Sequence, residues 1–438
     1  MSTEFMNHVV SQQTRRSFLK ISGTALGGIA VGTTVTAAES TERFIVKSKN
    51  VSAADLDASG VEVVHDLSAI DRLVVSGNES DVESLGGGYA PDTVYSLDLP
   101  ITQSPITQDE SATDEPFYPL QWDKQEQNIP EAHKVTRGEG TRVSVIDTGI
   151  DPTHPDLAHA VNTELSRNFT SDGGDFTDSG YHGTHVSGIV AANDQNETGV
   201  VGSAPGTDLV ACRVFGAEGG ASWGDILTAL VYSVEVGADV ANLSLGAYPV
   251  PRNEDNFGQF YGGTLNRTMA YARRNGTLVV AAAGNDAADL QHDGNVISVP
   301  NEASNVMSIS ATGPIGFNWG DDGLEEPTTT PALYTNYGTN AIDISAPGGN
   351  YDPNAPDDVY FYDLVYNTIP SWMGGYAWLA GTSMAAPQVA AAAAMIKSVN
   401  PNYNANQVRK TLRNTADRVG DKEYHGKGHL NTNAAVRE

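Results

Sequence analysis

Cysteine is almost missing from this chain: Cys212 is the only one in 438 residues. A single thiol excludes an intramolecular disulfide framework. Its place in the apolar run LVACRVF points to a buried, inert thiol rather than a nucleophile. Basic residues are scarce as well, 25 Lys+Arg against 54 Asp+Glu, for a net charge of −29. No basic run stands out, which disfavours nucleic-acid binding. Long apolar runs are also lacking, so after the N-terminus nothing reads as a membrane span. The acidic residues are spread along the whole chain. That distribution suits a protein kept solvated at high salt, where screening shortens the reach of self-repulsion. What the chain does have is 39% hydrophobic residues, enough for a sizeable core, and a length that suggests two or three units.

The N-terminus reads as a targeting segment. TRRSFLK (Thr14 to Lys20) precedes the mild apolar run ISGTALGGIAVGTTVTA. Basic residues, an apolar stretch and then small residues describe a signal peptide over residues 1–38, with cleavage near Ala37 or Ala38. The Arg15-Arg16 pair is similar to the twin-arginine export signal, so secretion by that route is expected. The alternatives are an uncleaved anchor or a chance arginine pair.

Residues 39–110 carry a small α+β pattern and then a linker. RFIVKS, VEVVHDL, RLVVSG and TVYSLDL read as strands, and ESDVESLGG as a short helix ended by glycine. TQSPITQDESATDEP, Thr102 to Pro116, has no periodicity and reads as exposed linker. Across 111–438 apolar strands alternate with helices. The fold class expected is α/β, a mostly parallel central sheet with helices on both faces, preceded by the small α+β domain. Pro314 to Pro331 and Gly349 to Pro370, rich in Gly, Pro, Asp and Tyr, read as surface insertions.

Three polar residues fall where such a fold puts ligands, at strand ends and helix starts. Asp147 ends the strand VSVID, His182 opens the helix HGTHVSG, and Ser383 opens the Ala-rich helix LAGTSMAAPQVAAAAAMI. Serine is a weak nucleophile, histidine can serve as its base, and a buried aspartate can hold the imidazole tautomer. Alone, an Asp in DTG is as often a turn residue, and a Ser at a helix start is usually a cap. If the helix starts near Ser383, the serine occupies a cap-like position. Pro387 then removes the N–H that would bond its carbonyl.

VSVIDTGIDPTHPDL, HGTHVSGIVAA, TLVVAAAGND and AGTSMAAP resemble the signature segments of the subtilisin-like serine peptidases, in that family's chain order Asp, His, Ser. The resemblance covers roughly Phe117 to the end. It implies a serine endopeptidase with Asp147, His182 and Ser383 as triad. Asn285 with the Ser383 N–H would form the oxyanion hole. Extended polypeptide substrates would pair with Gly219-Gly220-Ala221 and Ser244-Leu245-Gly246. Ala282, Ala283 and Gly284 would wall the primary pocket. His185, three residues after His182, reads as structural rather than as half of a metal pair. ANDQNETGVVG resembles the calcium loop of thermitase-like members, with Asn193, Asn196, Thr198 and Val200 as ligands beside Asp156 and Glu115. An ordinary polar loop is the alternative, and no catalytic cofactor is expected. Residues 39–110 resemble the family's propeptide, an intramolecular chaperone and inhibitor. The acidity and export signal resemble the halolysins of halophilic archaea, whose usual C-terminal extension has no counterpart after GKGHLNTNAAV. A monomer with no nucleic-acid partner is expected, free of the membrane once the signal is removed. An esterase is disfavoured because the G-x-S-x-G elbow is missing from GTSMA. A degenerate binding module is disfavoured because all four catalytic positions are filled.

Overall fold

The computed structural model describes residues 34–35, 42–96, 115–217, 219–252, 257–356 and 358–438. Most of the expected signal segment and of the linker lies outside the described residues.

Near the N-terminus, strands β1 (Arg43–Lys47), β2 (Glu62–Leu67), β3 (Arg72–Ser76) and β4 (Tyr89–Pro91) form an antiparallel sheet in the order β2-β3-β1-β4. Helices α1 (Ala53–Ser59) and α2 (Glu79–Ser84) accompany it. The first helix was not anticipated. Ser52 and Asp55 build a capping box at its start, which satisfies two N–H groups reciprocally. A short strand β5 (Val94–Ser96) follows and pairs on one edge with Thr34–Val35.

The larger unit holds seven parallel strands: β6 (Arg142–Asp147), β7 (Arg167–Asn168), β8 (Asp208–Arg213), β10 (Val240–Leu243), β11 (Leu278–Ala282), β12 (Val306–Thr312) and β13 (Ile344–Pro347), with the short strand β9 (Gly220–Ser222) outside the sheet. Their order is β13-β12-β11-β10-β6-β8-β7. Val143 and Val145 turn into one apolar core, and Ile146 into the other. Burial on both faces explains why these strands read as continuous apolar runs. Helices α3 (His182–Ala191) and α6 (Thr382–Val399) cover the first face, and α4 (Trp223–Glu235) and α5 (Phe257–Arg274) the second. Every residue of α6 from Thr382 to Ile396 is buried, which its alanines permit by letting neighbours close in on all sides.

The chain leaves β6 toward β8 and returns on the other side of β6 as β10. That reversal opens a crevice at the carboxyl ends of β6 and β10, where Asp147 and Ser244 lie.

Gly349 to Pro370 is not a surface insertion as expected. Tyr360, Phe361, Leu364 and Val365 are buried, and Val365–Thr368 pairs with Tyr376–Leu379. Its Gly and Pro residues mark turns, but its aromatic and aliphatic side chains carry enough apolar surface to be drawn inside. Pro314 to Pro331 is exposed over residues 321–327, as expected.

The N-terminal sheet sits against α4 and α5, and Ile45, Leu67, Ile70, Val74, Ala90 and Tyr95 join the core on that face. Arg43 Nη2 pairs with Asp225 at 2.7 Å and Asp92 at 3.1 Å, and Arg72 Nε donates to Thr264 Oγ1 at 2.9 Å. Strand β5 pairs antiparallel with β9, Ala221 opposite Tyr95.

Helix α3 meets the turn after β6 with no room between them. A Cβ on Gly183 would lie 2.1 Å from the Gly149 carbonyl oxygen. Gly183→Ala must therefore push the helix start away from the turn. We predict a loss of about 1–3 kcal/mol in urea unfolding. An unchanged midpoint and slope would contradict this packing.

Candidate active site

Asp147 is the last residue of β6, fully buried, and His182 is the first residue of α3. The close approach at Gly183 brings the two side chains together: His182 Nδ1 lies 2.8 Å from Asp147 Oδ1. The Thr148 N–H also donates to Asp147 Oδ1, at 2.7 Å. Since a carboxylate can only accept, His182 carries its proton on Nδ1 and leaves Nε2 as a lone-pair acceptor. His182 Nε2 is buried without a hydrogen-bond partner among the described residues.

Ser383 is the second residue of α6, not its cap. The N-cap is Gly381, with no side-chain cap. The serine side chain faces away from the first-turn N–H groups and donates from Oγ to the Ser244 carbonyl at 3.1 Å. In return, Ser244 Oγ donates to the Ser383 carbonyl at 2.7 Å. That carbonyl is open to Ser244 because Pro387, four residues on, has no N–H to give it. Ser244 Oγ is itself oriented by Asn242 Nδ2, at 2.9 Å. Sequence reasoning placed Ser244 only as backbone for a substrate strand. Its hydroxyl is also part of the frame around Ser383.

Asn285 follows β11 in a tight turn. Its Oδ1 accepts from the Thr382 N–H at 2.9 Å and from Thr382 Oγ1 at 2.8 Å. A backbone N–H can only donate, so the atom facing it is oxygen and the amide nitrogen points the other way. A Cβ on Gly381 would lie 3.4 Å from Asn285 Nδ2 and 3.7 Å from Ser383 Cβ, so the amide and the serine flank one spot. Thr382 and Asn336 are residues that sequence reasoning missed. Thr382 adjoins Ser383 and was visible only as a second hydroxyl. Asn336 lies 51 positions after Asn285 in TNYG, and nothing local marks it.

Of the predicted substrate strands, Gly220-Ala221 lies in β9, with its edge taken by Val94–Ser96, and Gly219 just precedes it. Ser244, Leu245 and Gly246 follow β10 at the crevice, and Ser244 and Leu245 are buried. Ala282 ends β11, while Gly284 and Asn285 are half-buried. Ala283 lies between Ala282 and Gly284. It is fully buried, its N–H donates to Ile309 O and its carbonyl accepts from Asn336. A cavity of about 100 Å³ beside His182 is lined by Thr148, Tyr181, Phe215, Ala217 and Gly219 among others.

The six residues expected at calcium do gather. Glu115 accepts from the N–H groups of Asn196, Glu197 and Thr198 at 3.0, 3.2 and 2.6 Å. Asp156 accepts from Asn196 Nδ2 at 3.0 Å and from the Val200 N–H at 3.1 Å, and its own carbonyl takes the Asn193 N–H. Both carboxylates are fully buried. Burial pushes both carboxyls up, against the lowering effect of these hydrogen bonds, and the Asp156 charge adds to the rise at Glu115. Two buried carboxylates that oppose each other's charge have the oxygen chemistry a hard divalent cation takes. Here their oxygens accept from N–H groups and from the Tyr376 hydroxyl at 3.1 Å, so a bound cation would replace some of these bonds. Among the described residues no group of three or more His, Cys, Asp or Glu side chains converges, so the remaining ligands would be amide or backbone oxygens. His185 is fully buried and donates from Nε2 to Ala377 O at 3.2 Å. Burial, with the neighbouring His182, lowers its pKa to about 3 and keeps it neutral. Cys212 is buried and its thiol pushed up to about 12, as suits an inert group.

Comparison with known proteins identifies the family. The profile of the subtilase family matches residues 138–432. The alkaline protease of Alkalihalobacillus alcalophilus is 32% identical over 413 residues, covering 92% of this chain and 93% of that protein. Subtilisin Savinase of Lederbergia lenta is 36% identical over 317 residues, covering 72% of this chain and 98% of its own length. The crystal structure of the epidermin leader peptide processing serine protease from Staphylococcus aureus superposes with a TM-score of 0.74 at 22% identity, over 90% of this chain and 97% of that one, a likeness of fold. The chain belongs to the subtilase family and is a subtilisin-like serine endopeptidase.

Proposed function

We propose that this chain is the precursor of a secreted endopeptidase in which Ser383 attacks the peptide carbonyl and His182 Nε2 takes its proton. The observation that carries this reading is the buried 2.8 Å contact between Asp147 and His182 Nδ1, which leaves the Nε2 lone pair without a partner among the described residues. For attack, Ser383 Oγ must leave the Ser244 carbonyl and turn to Nε2. An acyl-enzyme forms as the C–N bond breaks, the leaving amine takes the proton from His182, and water then releases the acyl group by the same route. Asn285 Nδ2 and the Ser383 N–H stabilise the oxyanion. In the first turn of α6 that N–H has no acceptor within the helix, and the helix end adds positive potential. Gly219-Gly220-Ala221 and Ser244-Leu245-Gly246 hold an extended peptide by backbone pairing, with low sequence selectivity.

Residues 39–110 act as the propeptide. The antiparallel pairing of Val94–Ser96 with Gly220–Ser222 supports this, since a strand there covers an edge that substrate would use. Residues 1–38 direct export by the twin-arginine route, and 111–438 form the peptidase. The net charge of −29 supports a working environment of high salt, like that of the halolysins. Among the described residues no helix is long and apolar enough to cross a membrane. Calcium, held by Glu115, Asp156, Asn196, Thr198 and the carbonyls of Asn193 and Val200, ties the N-terminal end of the peptidase to the 193–200 loop and supplies structural charge balance only.

Three outcomes are expected. A fluorophosphonate probe in high-salt buffer labels the wild type and not Ser383→Ala, and the labelled enzyme cleaves casein. Equal labelling of both proteins would remove Ser383 from the mechanism. Removing calcium with a chelator lowers Tm, and Glu115→Ala makes Tm insensitive to the chelator. A site held at a hundred times its Kd is worth about 2.7 kcal/mol, and a chelator-insensitive wild type would contradict the site. N-terminal sequencing of the secreted form finds a start between residues 97 and 115. A start near residue 39 would mean that the N-terminal unit stays attached.

A further inference from the structure

The turn carrying Asn285 is short, has Gly284 at a φ of +104° and Ala287 at +51°, and contains no regular hydrogen-bond ladder. Such a turn does not hold its shape unaided, because left-handed backbone costs free energy at a non-glycine residue. Distant segments hold it: Thr382 Oγ1 accepts from the Gly284 N–H at 3.1 Å, the Tyr334 carbonyl accepts from the Ala287 N–H at 2.8 Å, and Asn336 makes the largest share of the bonds. Asn336 is wholly buried, and all four of its side-chain hydrogen-bonding positions are spent on this turn. Its Oδ1 accepts from the N–H groups of Asp286 at 2.9 Å and Ala288 at 3.0 Å. Its Nδ2 donates to the Ala283 carbonyl at 3.0 Å and to Asp286 Oδ2 at 3.0 Å. Its own N–H donates to the Gly284 carbonyl at 3.0 Å. Five hydrogen bonds therefore reach residues 283, 284, 286 and 288, on both sides of Asn285, while none reaches Asn285 itself. The fit is tight in the other direction too: a Cβ on Gly284 would lie 2.3 Å from Asn336 Nδ2.

We propose that Asn336 is a positioning residue for the oxyanion donor: by fixing the path of residues 283–288 it aims the Asn285 amide at the spot beside Ser383. This rests on the reading of Asn285 as that donor. Thr382 fixes the amide from the other end, through Oδ1, and its Oγ1 also takes the Gly284 N–H, so Asn336 is the clamp that acts on the turn alone. A hydrogen-bond donor of this kind loses its value with small displacements, because it must meet charge that exists only in the transition state. Loss of Asn336 should therefore be felt in kcat and only where Asn285 is present.

A double-mutant cycle on the processed enzyme, with active sites counted by fluorophosphonate titration and kcat and KM measured on a soluble peptide anilide, tests this. Asn285→Ala should lower kcat by about 100-fold or more. Asn336→Ala should lower kcat by about tenfold or more with KM within about twofold, and should cost less than about twofold when added to Asn285→Ala. Asn336→Ser, whose hydroxyl can accept from one of the two turn N–H groups, should recover part of the loss. Should Asn336→Ala not fold, as judged by circular dichroism, the same cycle is read with Asn336→Ser. An equal loss in both backgrounds, or a rise in KM at unchanged kcat, would overturn the proposal. If Asn285→Ala leaves kcat unchanged, the oxyanion reading fails and this inference fails with it.

Discussion

Pro387 has no N–H for the Ser383 carbonyl, and Ser244 supplies a hydroxyl in its place at 2.7 Å. Much of the site depends on that exchange. An ordinary α-helix would consume the Ser383 carbonyl within its own first turn and leave no reason for Ser244 to approach. With the helix opened by proline, the end of β10 and the start of α6 are stitched by two reciprocal hydrogen bonds. Next in the chain, Thr382 ties α6 to Asn285 after β11. Three neighbouring elements are thereby registered to one another around a single side chain. The cost of a proline within a helix, about 3 kcal/mol, falls where the missing bond has a replacement.

The Asp147–His182 pair is built differently, by contact rather than by a polar exchange. Gly183 lets α3 close on the turn after β6, and no larger residue could stand there without moving one or the other. The two halves of the site thus come from opposite devices: small residues that allow approach, and a proline that opens a helix. The N-terminal sheet meets this framework from the far face, resting on α4 and α5 and sending β5 along β9. Its charged contacts at Arg43, Asp92 and Asp225 are largely buried, so they fix register more than they add stability.

Much of this was legible in the sequence, for identifiable reasons. Buried parallel strands leave apolar runs, and the polar residue that ends one of them, Asp147, marks the crevice. Motif residues such as His182, Ser383 and Asn285 sit beside small residues that close packing demands, so their surroundings are as informative as they are. What could not be read depended on contacts between distant segments. Asn336 acts on a turn some fifty residues away, and an asparagine before Tyr-Gly looks like any turn residue. Ser383 looked like a helix cap because the start of α6 could not be located to within one residue, and Gly381 takes that place. The Gly349 to Pro370 segment was misread as surface because glycine and proline were weighed above Tyr360, Phe361 and Leu364, which bury.

The central claim is that the turn after β11 and the start of α6 together form a preset receptor for negative charge beside Ser383. A crystal structure of the enzyme carrying a peptidyl phosphonate on Ser383 tests it most directly. The account predicts a phosphonate oxygen at about 2.7–3.1 Å from both Asn285 Nδ2 and the Ser383 N–H nitrogen, with residues 283–288 unmoved and Ser383 Oγ released from the Ser244 carbonyl. A phosphonate oxygen turned to solvent, or a turn that has to rebuild to reach it, would contradict it.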